Sequence, residues 1–523
     1  MLIAGLRSVH GGGLAILRDD TLEFGARLDE SSGFTQAAAV LAGQGFDADR
    51  IDAWAVDGAV GVDRPYFGYP HAAGQVAAAY CTSPFAAGGE SALVLVWDHG
   101  AAPLLHRVGA GGRIEQLGPL LPPASGGLTA ELGDPASEAG KPDTTGLAST
   151  GTAGDAGLGH TRTAGDARLG DAGTAGVADE EIRKALHSAL RAHLDGPESG
   201  RGFLDDLRAE ASRLGVDTGR VRAGARDLLV QLVAEHLAEA GGDRAGLCFT
   251  GDLATDPRWA TALRRHAPDA GFWVPPFAGE SGSAVGAALL HRFRDDGLRA
   301  VRWNRRCGPV PRRHSHVPDG WSTMPCRPEE LARIMHHTGR AAAIVTGRAD
   351  LGPETLGSRA VIAPAGGDGV DRWGPAVTLC LSRQADLFFD QADADPYAQF
   401  RHRVRAEWAA RLPGLCDADG TTRVRTVHEA DDPVLATILQ EYSVWNDAPL
   451  LRGASANFTD AVSAMRSGGV DLVWSDGVLY RRAYSGRTRE KSRTGENSRT
   501  GENSRDGQTS RSGQTSRSGE EGR

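Results

Sequence analysis

"LIAGLRSVHGGGLAILRDDTLEFGARLD" (residues 2–29) decides how the N-terminal part of this chain folds. It holds three short apolar runs, "LIAGLR", "GLAILRDD" and "TLEFGARLD", separated by the Gly11-Gly12-Gly13 turn and the Asp19-Asp20 pair. Apolar runs of this length bounded by glycine and aspartate read as strands joined by tight turns, so the stretch predicts a three-stranded meander. A helical pattern, "TQAAAVLAGQG", and a buried strand, "IDAWAVDGA", come next. The pattern then partly repeats, with "SALVLVWDHG", "APLLHRVG" and "RIEQLG" forming a second strand-turn-strand-turn-strand run. Residues 179–240 place apolar residues three and four apart, as helices do. "GLCFTGD" reads as a strand, and "SGSAVGAALLHRFRDD" as a helix entered through small residues.

After Pro309 the texture changes. "RPEELARIMHHTG" predicts a helix and "RAAAIVTG" a strand. "AVTLCLS", a helix near 395–411, "DGTTRVRTV" and a closing strand "GVDLVWSDGVLYRRA" complete the ordered part. A domain boundary falls near residue 310. Within this half, "VTGRADLGPETLGSRAVIA" (345–363) puts Arg348 and Arg359 either side of a Gly-Pro turn directly after an apolar strand. Guanidinium groups on a glycine-rich loop match the paired oxygens of a phosphate or carboxylate. The competing reading is a solvated turn whose arginines are neutralised by Asp350 and Glu354.

Two segments fall outside the folded parts. Residues 123–178 are rich in Gly, Ala, Thr and Asp, with too few large apolar side chains to offset ordering entropy. Residues 486–523 carry a drifting six-residue repeat, "SRTGEN SRTGEN SRDGQT SRSGQT SRSGEE", with no apolar side chain, which predicts disorder.

The 523 residues suffice for two or three domains with sizeable cores. A net charge of −10 gives no basic field to favour nucleic acid. Among 57 basic residues only Lys141, Lys184 and Lys491 are lysines, and two of these lie in the low-complexity segments. Six cysteines without a C-x-x-C pair fit a reducing cytoplasm better than a disulfide framework or a zinc site. No apolar run reaches the ~18 residues of a membrane span, and the polar start does not read as a signal peptide. A soluble, cytoplasmic protein without a membrane partner is expected.

The two meanders interleaved with helices resemble the duplicated ribonuclease-H-like core of the actin, sugar-kinase and Hsp70 superfold. Six further stretches, in order, resemble the O-carbamoyltransferases of antibiotic and nodulation-factor biosynthesis, in which a Kae1-like domain of that superfold precedes a YrdC-like domain. "HAAGQVAAAYCTSPF" (71–85) is similar to the family's H-H-x-x-H-A and x-x-A-Y-x-x-S-P-F. "LVLVWDHG" is similar to its V-V-D-G, and "GESGSAVGAAL" (279–289) to its G-D-S-G-x-A-x-G-A-A-L. "GRADLGPETLGSRAVIA" is similar to G-R-x-E-x-G-P-R-A-L-G-x-R-S-I, "DRWGPAV" (371–377) to F-R-P-F-A-P-S, and "DADGTTRVRTV" (417–427) to H-V-D-G-T-x-R-x-Q-T-V. The implied fold is α/β: a Kae1-like domain over 1–122 and 179–309, interrupted at 123–178, and a YrdC-like domain over 310–485.

The resemblance implies that the C-terminal domain activates carbamoyl phosphate with ATP as carbamoyl-adenylate, held by Arg348 and Arg359. A loop corresponding to the family's N-T-S-F-N, here "RGASANF" (452–458), offers Ser455. It also implies that the N-terminal domain transfers the carbamoyl group to a small-molecule hydroxyl or amine beside Fe2+ or another divalent metal. His71, Asp98 and Glu280 occupy the corresponding metal positions, and His10 on the first hairpin turn is the candidate base. The departures are specific. Glu354 replaces the arginine of G-P-R-A-L-G, Gln75 replaces the second histidine, Glu280 replaces an aspartate, and Asp417 replaces a histidine. Two hypotheses follow: a divergent carbamoyltransferase, or a catalytically silent scaffold of the same fold that partners a motif-complete homologue.

Overall fold

The computed structural model describes residues 1–8, 12–28, 34–58, 66–123, 125–132, 218–240, 245–267, 271–312, 316–352, 355–367, 369–390, 394–412, 414–417 and 419–483, with a few helical residues between 184 and 213. His10, Glu354, most of the 123–178 segment and the tail lie outside the described residues.

The opening stretch forms the meander its turns predict. Strands β1 (Leu2–Arg7), β2 (Gly13–Arg18) and β3 (Thr21–Arg27) pair antiparallel. Strand β4 (Ala53–Asp57) then lies parallel to β1, and β5 (Tyr66–Tyr69) parallel to β4, giving the order β3-β2-β1-β4-β5. The second run repeats it. β6 (Ala92–Val96), β7 (Leu104–Val108) and β8 (Ile114–Pro119) form a meander. β9 (Gly246–Thr250) is parallel to β6, and β10 (Phe272–Trp273) parallel to β9. The resulting order, β8-β7-β6-β9-β10, matches the first sheet. This is the duplicated ribonuclease-H-like topology expected from the sequence.

Two helices are packed between these sheets, α2 (His71–Cys81) from the first repeat and α7 (Glu280–Arg292) from the second. Their small residues set the spacing. A Cβ on Gly286 would stand 1.7 Å from the Gly74 carbonyl oxygen, and one on Gly5 would stand 1.9 Å from that of Ala284. A side chain at Gly286 would force the two helices apart and one at Gly5 would push α7 off strand β1, which accounts for "SGSAVGAAL". With helices on both faces, β1, β4, β6 and β9 are buried almost throughout, so they read as continuous apolar runs rather than alternating ones.

The remaining helices, in chain order, include α1 (Phe34–Gly43), α3 (Pro84–Gly88), α4 (Ser125–Leu132), α5 (Thr218–Glu239) and α6 (Pro257–Arg264). Helix α4 corrects the expected start of the insertion at 123: Leu128 and Leu132 join the core with Leu121 and Val221, so the fold runs at least to Leu132.

Among the described residues the third sheet has ten strands, running from β11 (Trp321–Pro325) at one edge to β15 (Phe389–Asp390), which follows the short helix α9 (Ala385–Phe388), at the other, in the order β11-β20-β19-β12-β13-β18-β14-β17-β16-β15. β12 (Ala342–Val345), β13 (Arg359–Pro364), β14 (Val377–Leu381), β17 (Thr421–Val427) and β18 (Leu451–Ser455) form its centre, flanked by α8 (Pro328–Thr338) and α11 (Pro433–Trp445). Two expectations differ. The helix near 395–411 is a strand, β16 (Arg401–Val404), followed by the short helix α10 (Ala406–Arg411). In "RHRV" the buried His402 and Val404 alternate with more exposed arginines, the period of a strand. The closing strand is a hairpin, β19 (Leu472–Ser475) and β20 (Val478–Arg482). Its turn is Asp476-Gly477, both at positive φ, the signature of a tight hairpin that the dipeptide itself carries.

Candidate functional site

In sheets of this kind the carboxyl ends of the parallel strands open onto a crevice where polar groups collect. Here β1 ends in Arg7 and β4 in Asp57, while Asp98 and Asp252 follow β6 and β9 by two residues. Helix α2 starts at His71, and helix α7 at Glu280. Two repeats thus bring six ionisable side chains to the same end of the paired sheets.

Their contacts form one network. The imidazole of His71 lies 2.8 Å from Asp57 Oδ2 through Nδ1, and Arg7 Nη1 stands 2.9 Å from the same nitrogen. Arg7 also ion-pairs with Asp57, whose side chain is fully buried, and with Glu280. One helical turn on from His71, Gln75 donates from Nε2 to Asp98 Oδ1 (3.0 Å) and lies 2.9 Å from His71 Nε2. Asp98 Oδ2 is 3.8 Å from that nitrogen, and Asp98 Oδ1 accepts the Asp252 amide (3.0 Å).

The protonation states follow from these contacts. Burial favours the neutral form of Asp57, but the hydrogen bond and charge of His71 and the charge of Arg7 outweigh it, holding Asp57 below the usual carboxylate range. Burial likewise opposes the imidazolium of His71, yet the Asp57 partnership prevails and raises it. Asp252 forms no ion pair among the described residues, and the charges of His99 and His71 lower it only in part. Burial, reinforced by the like charges of Asp98 and Glu280, pushes its carboxyl up to about 6. It is a carboxyl poised to exchange a proton near neutral pH.

The structure therefore joins His71 and Asp98 as the sequence suggests, and turns Glu280 onto Arg7 instead. Among the described residues no three His, Cys, Asp or Glu side chains converge so as to hold a metal ion. The donor set does not fit one: a guanidinium stands among the carboxylates, and Gln75 presents N–H groups where a second imidazole lone pair would be needed. As they stand, the side chains of His71, Asp98 and Glu280 do not fit the metal that the resemblance implies.

In the third sheet, the arginine loop has a different logic from both sequence readings. Arg359 is buried, and its Nη1 donates to the carbonyls of Thr346 (2.8 Å) and Ser358 (2.7 Å). Its Nη2 donates to Gly347 (2.9 Å) and Pro309 (3.2 Å). The guanidinium thus satisfies loop carbonyls that have left the strand ladder, and is not presented to an anion. Arg348 is partly exposed, with Nη1 donating to the Gly308 carbonyl at 3.3 Å. Asp350 forms an ion pair with neither among the described residues, although its charge acts on Arg359. It accepts from Ser358 Oγ (2.7 Å) and faces Arg305 and Arg306. Those two, with Arg425, share Asp432 at 2.7–3.0 Å. Ser455, at the end of β18, accepts the Thr355 amide (2.9 Å), which places it against the same loop. A small cleft beside it is lined by Pro276, Arg305, Asp350, Tyr397 and Arg425.

A carbamoyltransferase C-terminus model matches residues 333–467, and a carbamoyltransferase N-terminus model matches 32–183 and 220–289. The chain belongs to the carbamoyltransferase family. Nodulation protein U of Sinorhizobium fredii (strain NBRC 101917 / NGR234) is 29% identical over 92% of this chain and 99% of its own length. Nodulation protein U of Rhizobium tropici is 30% identical over 80% and 76%. The 3'-hydroxymethylcephem-O-carbamoyltransferase of Amycolatopsis lactamdurans is 25% identical over 58% and 62%. Among solved structures, the activator of the 2-hydroxyisocaproyl-CoA dehydratase from Clostridium difficile overlays 57% of this chain and 96% of its own, at 14% identity and a TM-score of 0.35, and no argument rests on it.

Sequence reading missed Arg7, Asp57 and Asp252. Each carried a signal: a charged side chain ending, or closely following, an otherwise apolar strand. The arginines at 305, 306 and 425 gave less, since a buried cluster drawn from a linker and a strand leaves no local pattern.

Proposed function

We propose that this chain is a carbamoyltransferase that moves a carbamoyl group onto a hydroxyl or amine of a small molecule. The hydroxymethyl group in the name of the cephem relative makes a primary hydroxyl the first acceptor class to try. The observation that carries the reading is Asp252. A carboxyl held near pH 6 at the mouth of the paired sheets is matched to taking the acceptor's proton as its oxygen attacks the carbamoyl carbon.

The ten-stranded sheet from about residue 310 is read as the YrdC-like activating domain. There water takes the phosphate from carbamoyl phosphate, and an oxygen of the carbamate so formed attacks the α-phosphorus of ATP, giving carbamoyl-adenylate and releasing pyrophosphate, with Arg348 contacting the anionic oxygens and Ser455 holding the loop through the Thr355 amide. Arg359 positions the loop that carries Arg348. In transfer, the bond from the carbamoyl carbon to the adenylate oxygen breaks and the bond to the acceptor forms. AMP carries away the negative charge, and Asp252 holds the proton.

The test is release of pyrophosphate and AMP from ATP by the full chain, with and without carbamoyl phosphate. Carbamoyl-phosphate-dependent pyrophosphate release in the wild type, lost in Arg348→Ala, supports activation. A second reading, a silent scaffold for an active homologue, is favoured by the consumption of Arg359 by backbone carbonyls. It predicts no nucleotide turnover by this chain, together with co-purification of a motif-complete relative.

A further inference from the structure

Four carboxyls, Asp57, Asp98, Asp252 and Glu280, meet at the strand ends of the paired sheets, and such a concentration of negative charge needs a cation. The relatives' motif pattern suggests a metal ion, but the side chains present supply a different one. Arg7 ends strand β1 with only 11% of its side chain exposed, and it ion-pairs with the fully buried Asp57 and with Glu280. Those contacts draw the Glu280 carboxylate, from the start of helix α7, onto the guanidinium.

On the other side, Gln75 closes the remaining positions. Asp98 Oδ1 is an acceptor only, so the atom of Gln75 facing it at 3.0 Å is the amide nitrogen. That nitrogen also lies 2.9 Å from His71 Nε2. A metal ion draws on unprotonated lone pairs. Here Asp98 Oδ1 is taken by the Gln75 N–H, and His71 Nε2 lies against the same amide nitrogen.

We propose that the guanidinium of Arg7 is the resident cation of this site, and that Arg7 together with Gln75 keeps divalent metal ions out. A fixed cation brings no exchange or loss with chelators, and its charge helps hold Asp57 ionised. This proposal does not rest on carbamoyl transfer, and metal binding is measurable whether or not the chain turns over nucleotide.

The experiment measures metal content of the full chain after exposure to Mn2+, Zn2+ and anaerobic Fe2+, followed by calorimetric titration with each. Binding that survives His71→Ala is elsewhere on the chain and counts as none here. Wild type, Gln75→His and Arg7→Lys are expected to take no ion at this site. The double variant Arg7→Ser/Gln75→His, which removes the fixed cation and restores a second imidazole one helical turn from His71, is expected to bind one ion per chain. Its affinity should exceed the wild type's by about 10–100-fold or more, the range over which groups neighbouring a metal site act. One equivalent of His71-dependent metal in the wild type overturns the proposal, and so does a folded double variant that binds no better than wild type. Should the double variant not fold, the wild-type and Arg7→Lys titrations decide alone: one His71-dependent equivalent in either refutes it, and none in both upholds it.

Discussion

Replacing Asp252 by asparagine should make the protein more stable and less active, with a pH dependence that identifies the cause. An aspartate ordinarily titrates near 3.8, and in the fold this one is pushed up to about 6 by burial and by Asp98 and Glu280. The sign follows from linkage. Below about pH 4 the carboxyl is protonated in both folded and unfolded chains, and it adds nothing. Between about pH 4 and 6 the unfolded chain gives up the proton more readily, so the folded state loses stability as pH rises. Above about pH 6 the penalty is constant. At full strength the gap from 3.8 to about 6 corresponds to about 3 kcal/mol. Asp252 is partly exposed, so solvent screening brings the expectation to about 1–2 kcal/mol. For a folding unit of about 150–250 residues, each kcal/mol moves Tm by about 2–4 °C. Asp252→Asn should therefore raise the melting temperature at pH 8 by about 2–8 °C, with the gain fading to nil near pH 4. Thermal unfolding followed by intrinsic fluorescence at five pH values measures it. A gain that is the same at pH 4 and pH 8, or no gain at pH 8, would refute the electrostatic account. Asparagine cannot accept the acceptor's proton, so carbamoyl transfer should fall about 10²–10⁴-fold, the usual contribution of a positioned base.

Removing one member of the buried Asp57 pair by Asp57→Ala should cost about 3–5 kcal/mol, because Arg7 and His71 lose their buried counter-charge; urea unfolding followed by circular dichroism reads this. His71, raised above the ordinary range, contributes stability that is whole below about pH 6.5 and is lost as pH rises through its folded value, so the Tm cost of His71→Ala should shrink between pH 6 and pH 9. Gly286→Ala puts a methyl group on the Gly74 carbonyl and should cost at least about 1–3 kcal/mol, visible as a lowered Tm. Arg359→Ala should destabilise the third sheet by about 1.5–3 kcal/mol through its abandoned carbonyls, whereas Arg348→Ala should leave Tm nearly unchanged and weaken ATP binding in calorimetry.

The sheets were legible wherever apolar runs were closed by glycine or aspartate, since those residues end strands for local reasons. Both meanders, β4 and β9 fall where the pattern places them. Strand β5 escaped because its four half-buried residues, "YFGY", follow a polar stretch and carry no period of their own. "QFRHRVR" looked helical because arginine is a good helix former, and only the burial of His402 and Val404 shows the strand. At the site, His71 and Asp98 were legible through the resemblance of "HAAGQVAAAYCTSPF" and "LVLVWDHG" to the family's motifs. Arg7 and Asp252 were not, because 245 residues of chain separate them. Strand pairing aligns the ends within each sheet, and the packing of α2 against α7 between the sheets brings the two sets together.

That convergence also explains how one cluster supports opposite protonation states. Asp57 and Asp252 are both aspartates at the ends of parallel strands, and burial favours the neutral form of each. Asp57 meets an imidazole and a guanidinium, so it stays ionised through the neutral range. Asp252 meets two other carboxylates, so it holds its proton until about pH 6. A general base needs the second environment, and a scaffold for one needs the first. Arg7 separates the two by spending its charge on Asp57 and Glu280 and making no ion pair, among the described residues, with Asp252. Had the guanidinium reached Asp252, that carboxyl would have become another permanent anion with little basicity to offer a substrate.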